Sequence, residues 1–252
     1  MDFTFKIYKQ LLAEMMRNGY EFQTYADFIK SPLKKSVILR HDVDDKPYNS
    51  LMFAKIQAEL GIKGVYYFRA VSKSWNEFII KEISLLGHEI GYHYENLSLK
   101  KGNYKSAIED FEKNLKKLRE LAVVETICMH GSPISKYDSR DLWSKFSYKD
   151  YSIIGEPYFD TDFNTVFYLT DTGRTWDNKL ISIRDKVDST FKIKVSTTKD
   201  IIDLFSQGKM PNQIMFTFHP QRWNYISINW LSELIVQNIK NTVKYLILKK
   251  RK

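Results

Sequence analysis

Four short apolar segments, the first three each followed by an amphipathic stretch that stops at glycine or in a charged turn, are the strongest constraint on the fold. Ser36–His41, Gly64–Arg69, Glu89–Tyr92 and Glu125–His130 read as buried strands. Between them lie helical spacings over Tyr48–Leu60, Trp75–Leu86 and Tyr104–Leu121, the first two closed by Gly61 and Gly87. Strands alternating with helices need parallel pairing with helical crossovers, which leaves an open doubly wound sheet or a barrel. A helix over Tyr8–Asn18 precedes this block. After it, Asp138–Val195 is less regular, with short strands expected near Ser152–Ile154 and Val166–Thr170. Regularity returns with a helix at Thr198–Ser206, a strand at Gln213–Phe218 and a last helix from about Asn229 to Lys249. No repeat or Pro/Gly linker marks a boundary, so residues 1–252 read as one domain. Residues 1–35 form an N-terminal helical extension to it, and 225–252 a C-terminal helix with a basic tail.

Composition narrows the classes of function. The net charge of +9 comes from lysines spread through the chain, with Lys249-Lys250-Arg251-Lys252 the one true run, so nucleic acid is not the expected partner. Cys128 is the only cysteine and excludes an intramolecular disulfide. No segment has the apolar length of a membrane span or of a secretory signal core, which predicts a cytoplasmic protein. The C-terminal helix is expected to pack on the domain with its tail in solvent. Its basic residues leave weak peripheral contact with anionic lipid open, without stable insertion.

The histidines carry the functional signal. His41, His93, His130 and His219 follow strand residues, at the rim where active sites of parallel α/β folds assemble, whereas His88 precedes a strand and is assigned a structural hydrogen bond. Packing histidines would also be expected inside the long helices, and none is there. Asp42, Asp44 and Asp45 crowd together after the first strand of the block and repel one another unless a cation shares the site. Asp45 reads best as a turn or helix cap. Asp and His donors suit Zn, Co, Fe or Ni better than Ca. His130 and His219 each read as a metal ligand, a general acid or an orienting partner, with no choice among these from the residues alone.

In their order these segments resemble the polysaccharide deacetylase family, carbohydrate esterase family four. Arg40-His-Asp-Val-Asp44 looks like a variant of its first motif, Thr-Phe-Asp-Asp. Gly87-His-Glu-Ile-Gly-Tyr-His93 closely matches its second, Gly-His-Glu-Ile-Gly-Asn-His. His130-Gly-Ser-Pro133 loosely matches Arg-x-Pro, Phe216-Thr-Phe-His219 corresponds to Leu-x-His, and Thr170–Trp176 stands in the place of the fourth motif, which orients catalytic groups. The resemblance covers roughly residues 36–223. It implies a distorted or incomplete (β/α) barrel of about seven parallel strands and one divalent metal ion, with Zn preferred and Co, Ni or Fe as alternatives. It further implies removal of an N-acetyl group from an amino sugar, in a cytoplasmic glycan precursor of a surface polysaccharide. By the same resemblance Asp42 is the catalytic base, His219 the general acid, and Asp44 and His93 are metal ligands. The family's second metal histidine falls at Leu97, so His130, or else Glu95, is expected to complete the set. Arg40, His41, Arg174, Trp176 and Arg222 are the candidates for substrate binding or orientation. Leu97 also leaves room for a catalytically impaired relative that binds glycan or a partner. A metal-dependent amidase acting on a non-sugar amide is the remaining alternative.

Overall fold

A computed structural model of the chain describes residues 1–132, 135–176 and 187–250, without the side chains of residues 229 and 243–250. Pro133 and the last two residues of the basic run lie outside the described residues. In chain order the elements are α1 (Phe5–Arg17), β1 (Glu21–Gln23), α2 (Tyr25–Lys30), β2 (Ser36–Val43), α3 (Pro47–Glu59), β3 (Val65–Phe68), α4 (Glu77–Leu85) and β4 (Glu89–Tyr94). They continue with α5 (Asn96–Leu99), α6 (Tyr104–Arg119), β5 (Ile127–Met129), α7 (Pro157–Asp160), β6 (Val166–Thr170), α8 (Thr198–Ser206), β7 (Gln213–Phe218) and α9 (Ile228–Lys250).

All seven strands are parallel, in the order β5-β4-β3-β2-β7-β6 with β1 on the lower half of β2. Pairing of β2 with β7 curls the sheet. Among the described residues β5 and β6 do not pair, so the result is an incomplete (β/α) barrel. Every residue of β2 is buried, as expected of a parallel strand covered on both faces.

Alternation along the strands decides which side chains meet. Ile38, Val65, Tyr67, Cys128, Val166 and Met215 pack together inside the barrel, while Val37, Leu39, Tyr66, Ile90 and Phe216 face the helices. Counting by twos from the inner set leads to Arg40 and Asp42 on β2, to His130 beyond β5, and to Thr217 and His219 on and beyond β7. Gly91 faces the Tyr67 ring so closely that a Cβ there would overlap it, and the ring reaches across to the Thr126 hydroxyl (3.0 Å).

Two sequence expectations change. Residues 1–35 are more than a helical extension: three residues add β1 to the sheet, and Tyr25 and Phe28 of α2 plug the lower end of the barrel. A three-residue strand is too short to show a periodicity. The strand expected at Ser152–Ile154 is instead a 3-10 turn (Tyr148–Tyr151) ending at Ser152 in the left-handed region (φ 55°), with one bridge, Thr126 to Gly155. The left-handed residue breaks the extension a strand requires.

Candidate metal centre

The upper rim gathers Asp42, Asp44, His93, His130 and His219 from four strands. Arg40 and Asp42, two residues apart on the inner face of β2, form a two-pronged ion pair: Nε donates to Oδ1 (2.8 Å) and Nη2 to Oδ2 (2.6 Å). Arg40 is 1% exposed and also reaches the Tyr158 hydroxyl (3.2 Å). Burial works against a charged Asp42, but the Arg40 guanidinium, helped by His93, outweighs it and holds the carboxyl below its usual range.

Asp44 lies just past the strand, its N–H donating to the Asp42 carbonyl (3.0 Å). Its Oδ1 is 3.5 Å from His93 Nε2 and 3.5 Å from His130 Nε2. Its Oδ2 accepts from Gln221 Nε2 (3.3 Å) and lies 3.9 Å from His219 Nε2. Burial would raise the Asp44 carboxyl, yet His130, His93 and His219 together hold it well below the usual range.

Both imidazoles nearest Asp44 are fixed from behind. His93 Nδ1–H donates to the Cys128 carbonyl (2.9 Å), and His130 Nδ1 sits 2.8 Å from Glu95 Oε2, which leaves both Nε2 lone pairs directed at the rim. Glu95 is committed elsewhere: Arg69 Nε donates to Oε1 (2.8 Å) and Ser132 Oγ to Oε2 (2.9 Å). Although burial opposes it, His130 and Arg69 pull its carboxyl down to about 2. Of the two candidates for a third ligand, His130 therefore presents a nitrogen to the site and Glu95 stands behind it.

Asp44 Oδ1 is buried and has no hydrogen-bond partner among the described residues, while two imidazole nitrogens point at it from 3.5 Å. A buried carboxylate oxygen left this way is costly. A divalent ion between the three atoms removes the cost, and one carboxylate with two imidazoles is a donor set suited to zinc. Among the described residues, the group whose candidate ligand atoms all lie within 4.8 Å of one another is Asp42, His93 and Cys128. It fits a cation less well, because both Asp42 oxygens already serve Arg40 and the guanidinium would repel an ion placed there.

His219 is held by a residue that sequence reasoning did not single out. Asp171 Oδ1 lies 2.6 Å from His219 Nδ1, and both its oxygens accept from the His219 backbone N–H. Asp171 in turn accepts from Arg222 Nη1 (3.0 Å) and Trp223 Nε1 (2.6 Å). Burial pushes its carboxyl up, and His219 and Arg222 more than reverse this. The Thr170–Trp176 segment held the signal for Asp171, but nothing in the residues marked which of them mattered. Gln221 was likewise missed.

Three expected residues are not brought to this site. His41 faces the helices, stacked on Tyr66 (4.1 Å), its Nδ1–H donating to the Val65 carbonyl and its Nε2 facing Gln57 Nε2 (3.0 Å). Burial lowers it to about 3, so it is neutral. The strand runs on to Val43, and adjacent strand residues face opposite sides. Trp176 packs edge-on to Phe216 and Phe218 in the outer core and donates to Thr198 Oγ1. Arg174, at φ 57°, lies over the Phe3 and Trp230 rings. Arg222 orients Asp171 and Arg40 holds Asp42. Leu97, 1% exposed, lies in the hydrophobic core. His88 is structural: Nδ1 accepts from Gly64 N–H (3.1 Å) and Nε2–H donates to the Ala54 carbonyl (2.9 Å).

No protein-family model matches the chain, and no curated protein matches it. Solved structures do. A CE4 family pseudoenzyme from Bacillus anthracis is similar at TM-score 0.46 and 14% identity, over 84% of this chain and 62% of that one. A Streptococcus mutans CE4 esterase is similar at TM-score 0.45 and 14% identity, over 91% and 90% of the two chains. A peptidoglycan N-acetylglucosamine deacetylase gives TM-score 0.41 and 16% identity, over 82% of each. This chain thus spans about 62% of the length of the first of them. These are distant likenesses, and the chemistry of the rim is carried by this chain's own side chains. The solved structures named here are family 4 carbohydrate esterases, one of them a pseudoenzyme, and a peptidoglycan deacetylase, the kind of protein that the motifs of this sequence resemble.

Proposed function

We propose that this chain is a metal-dependent hydrolase that removes an N-acetyl group from an amino sugar. The observation that carries the reading is the orphaned Asp44 Oδ1, equidistant at 3.5 Å from two imidazole nitrogens whose far sides are tied down. Asp44, His93 and His130 would hold the ion. When bound, it would polarise the amide carbonyl and acidify the attacking water. Asp42, kept ionised by Arg40, accepts the water's proton. His219 gives a proton from Nε2 to the departing amine, with Asp171 on Nδ1 fixing the ring and stabilising its charged form. Amine release then leaves acetate. The finer expectation, a cytoplasmic polysaccharide precursor as substrate, is part of this proposal and is tested by cell fractionation and by assay on such precursors.

A specific observation keeps a second reading in play. Leu97 is buried among apolar side chains, so an impaired relative that binds glycan without hydrolysing it would also contain this barrel. One experiment separates the two. Protein purified without chelators is analysed for metal and assayed for acetate release from N-acetylated amino sugars, beside Asp42→Asn and His130→Ala. The hydrolase reading expects near-stoichiometric metal, lost in His130→Ala, and activity lost in Asp42→Asn with metal retained. Metal-free protein that binds glycan would replace it with the second reading. Activity confined to non-sugar amides would move the substrate class and leave the chemistry in place.

A further inference from the structure

The C-terminal helix is seated with its polar side inward. Glu233 and Gln237 are buried, and Lys46 Nζ meets Glu233 Oε2 at 3.0 Å. Asn241 Nδ2 donates to the Gly173 carbonyl (2.8 Å), and Trp230 Nε1 donates to the Asp2 carbonyl (3.0 Å). Ile228, Leu231, Ile235 and Ile239, one stripe at helical spacing, face outward, with Ile228 82% and Ile239 60% exposed. The helix packs on the domain as the sequence led one to expect, and the side that packs is the polar one. The physical reason is that the rim loops offer charged and carbonyl partners, which the polar side of the helix satisfies.

Charge tells the stripe's occupant. From residue 225 onward the sequence carries Lys240, Lys244, Lys249, Lys250, Arg251 and Lys252 against one acid, Glu233, which is already paired with Lys46. Two copies meeting along such a helix would set like charges side by side, whereas an anionic surface attracts them. No helix among the described residues is long and apolar enough to cross a membrane, so the helix would lie in the interface plane. We propose that α9 docks this protein on an anionic lipid surface, its isoleucine stripe entering the headgroup boundary and the net positive charge of this segment drawing it to the lipid phosphates. Lys46 follows Asp44 by two residues and Gly173 follows Asp171 by two, so the helix lies on the same rim as the candidate metal centre. Docking would hold that rim at the lipid surface.

The test is co-sedimentation of the full chain with vesicles of phosphatidylglycerol and phosphatidylcholine, and of phosphatidylcholine alone, at low and high salt. The expected result is binding to the anionic vesicles only, weakened by salt, and reduced at least about tenfold by Ile235→Asp with Ile239→Asp. Both positions are exposed, so the thermal melt of the double variant should match that of the parent chain, which separates lost docking from lost folding. Asp42→Asn should bind vesicles as the parent does, keeping this result independent of the hydrolase reading. No binding to anionic vesicles at low salt, or equal binding by the double variant, overturns the proposal. So does a concentration-dependent dimer abolished by the same pair, which would assign the stripe to a second copy.

Discussion

Asp42, Asp44 and Asp171 at the rim and Glu89 at the opposite end of the barrel are buried carboxyls held in opposite ways. At the rim Asp42, Asp44 and Asp171 are held below the usual carboxylate range although burial opposes it, because each faces Arg40, Arg222 or a set of imidazoles. At the foot of β4, four residues before His93, Glu89 is pushed up to about 7 by burial. Its partners are neutral donors, the Ala26 N–H (2.8 Å) and the Thr126 hydroxyl. The sheet thus keeps Asp42, Asp44 and Asp171 below the usual range at the rim and Glu89 near neutrality where α2 closes the barrel, and Glu156, buried behind the Met129 N–H, is likewise pushed up to about 7 by burial. Neighbouring charge, rather than depth, decides which state a buried carboxyl adopts.

Breaking the rim's half of this contrast should have the largest effect. Arg40→Met leaves Asp42 buried without its cation, and loss of one partner of a buried pair costs about 3–5 kcal/mol. Urea unfolding at pH 7 should show that loss, and it should shrink in acid, where the abandoned carboxyl takes up a proton. An unchanged unfolding midpoint would mean the ion pair is not buried as described.

Asp171→Asn probes the same end through function. It removes the anion behind His219 while keeping the side-chain shape. The expected outcome is a fall of about 10²–10³ in kcat for acetate release with KM little changed. A KM effect alone would make Asp171 a structural residue.

How much of this was legible in the sequence depends on distance along the chain. β6, β7 and α8 have the bounds expected from local pattern, and Asp42, Asp44, His93, His130 and His219 could be named because each ends or follows a strand. Asp171 could not be, because what singles it out is His219, 48 residues away. His41 was legible in principle: it neighbours Asp42 in a strand, so both cannot face the barrel interior. The orientation of α9 was not, since its periodicity is compatible with either side inward until the rim loops are in place.

Midway between the two ends, Gly91 tests whether interior packing separates them. A methyl there collides with the Tyr67 ring, which is walled in and hydrogen-bonded to Thr126. Gly91→Ala should cost about 1–3 kcal/mol in the same unfolding measurement, the usual penalty for overpacking. Loss of metal affinity in this variant would indicate that the strain reaches His93, two residues further along β4. A neutral result would mean the ring has space to yield.

The smallest effect, and the sharpest test of the contrast, comes from Glu89→Gln. The folded chain holds this proton up to about pH 7, whereas an unfolded glutamate releases it near 4.5. A raised folded value means that the stabilisation is fully present below about pH 4.5 and is lost as pH rises through about 7. Glutamine keeps the shape of the protonated form and cannot ionise: its oxygen accepts from Ala26, and its amide donates to the Thr126 hydroxyl, which can exchange roles with Tyr67. The stability of Glu89→Gln relative to the parent chain should therefore improve by about 1–2 kcal/mol between pH 5 and pH 8, read from paired denaturant curves. Asp42→Asn, at the other end, should show the opposite sign in acid: it loses ground to the parent as pH rises to about 4, where the parent's paired carboxylate becomes ionised in both states, and the difference stays level from about pH 5 to pH 8. If both differences ran the same way with pH, the two ends would not differ in how they hold charge, and the division of labour along the barrel axis would fail.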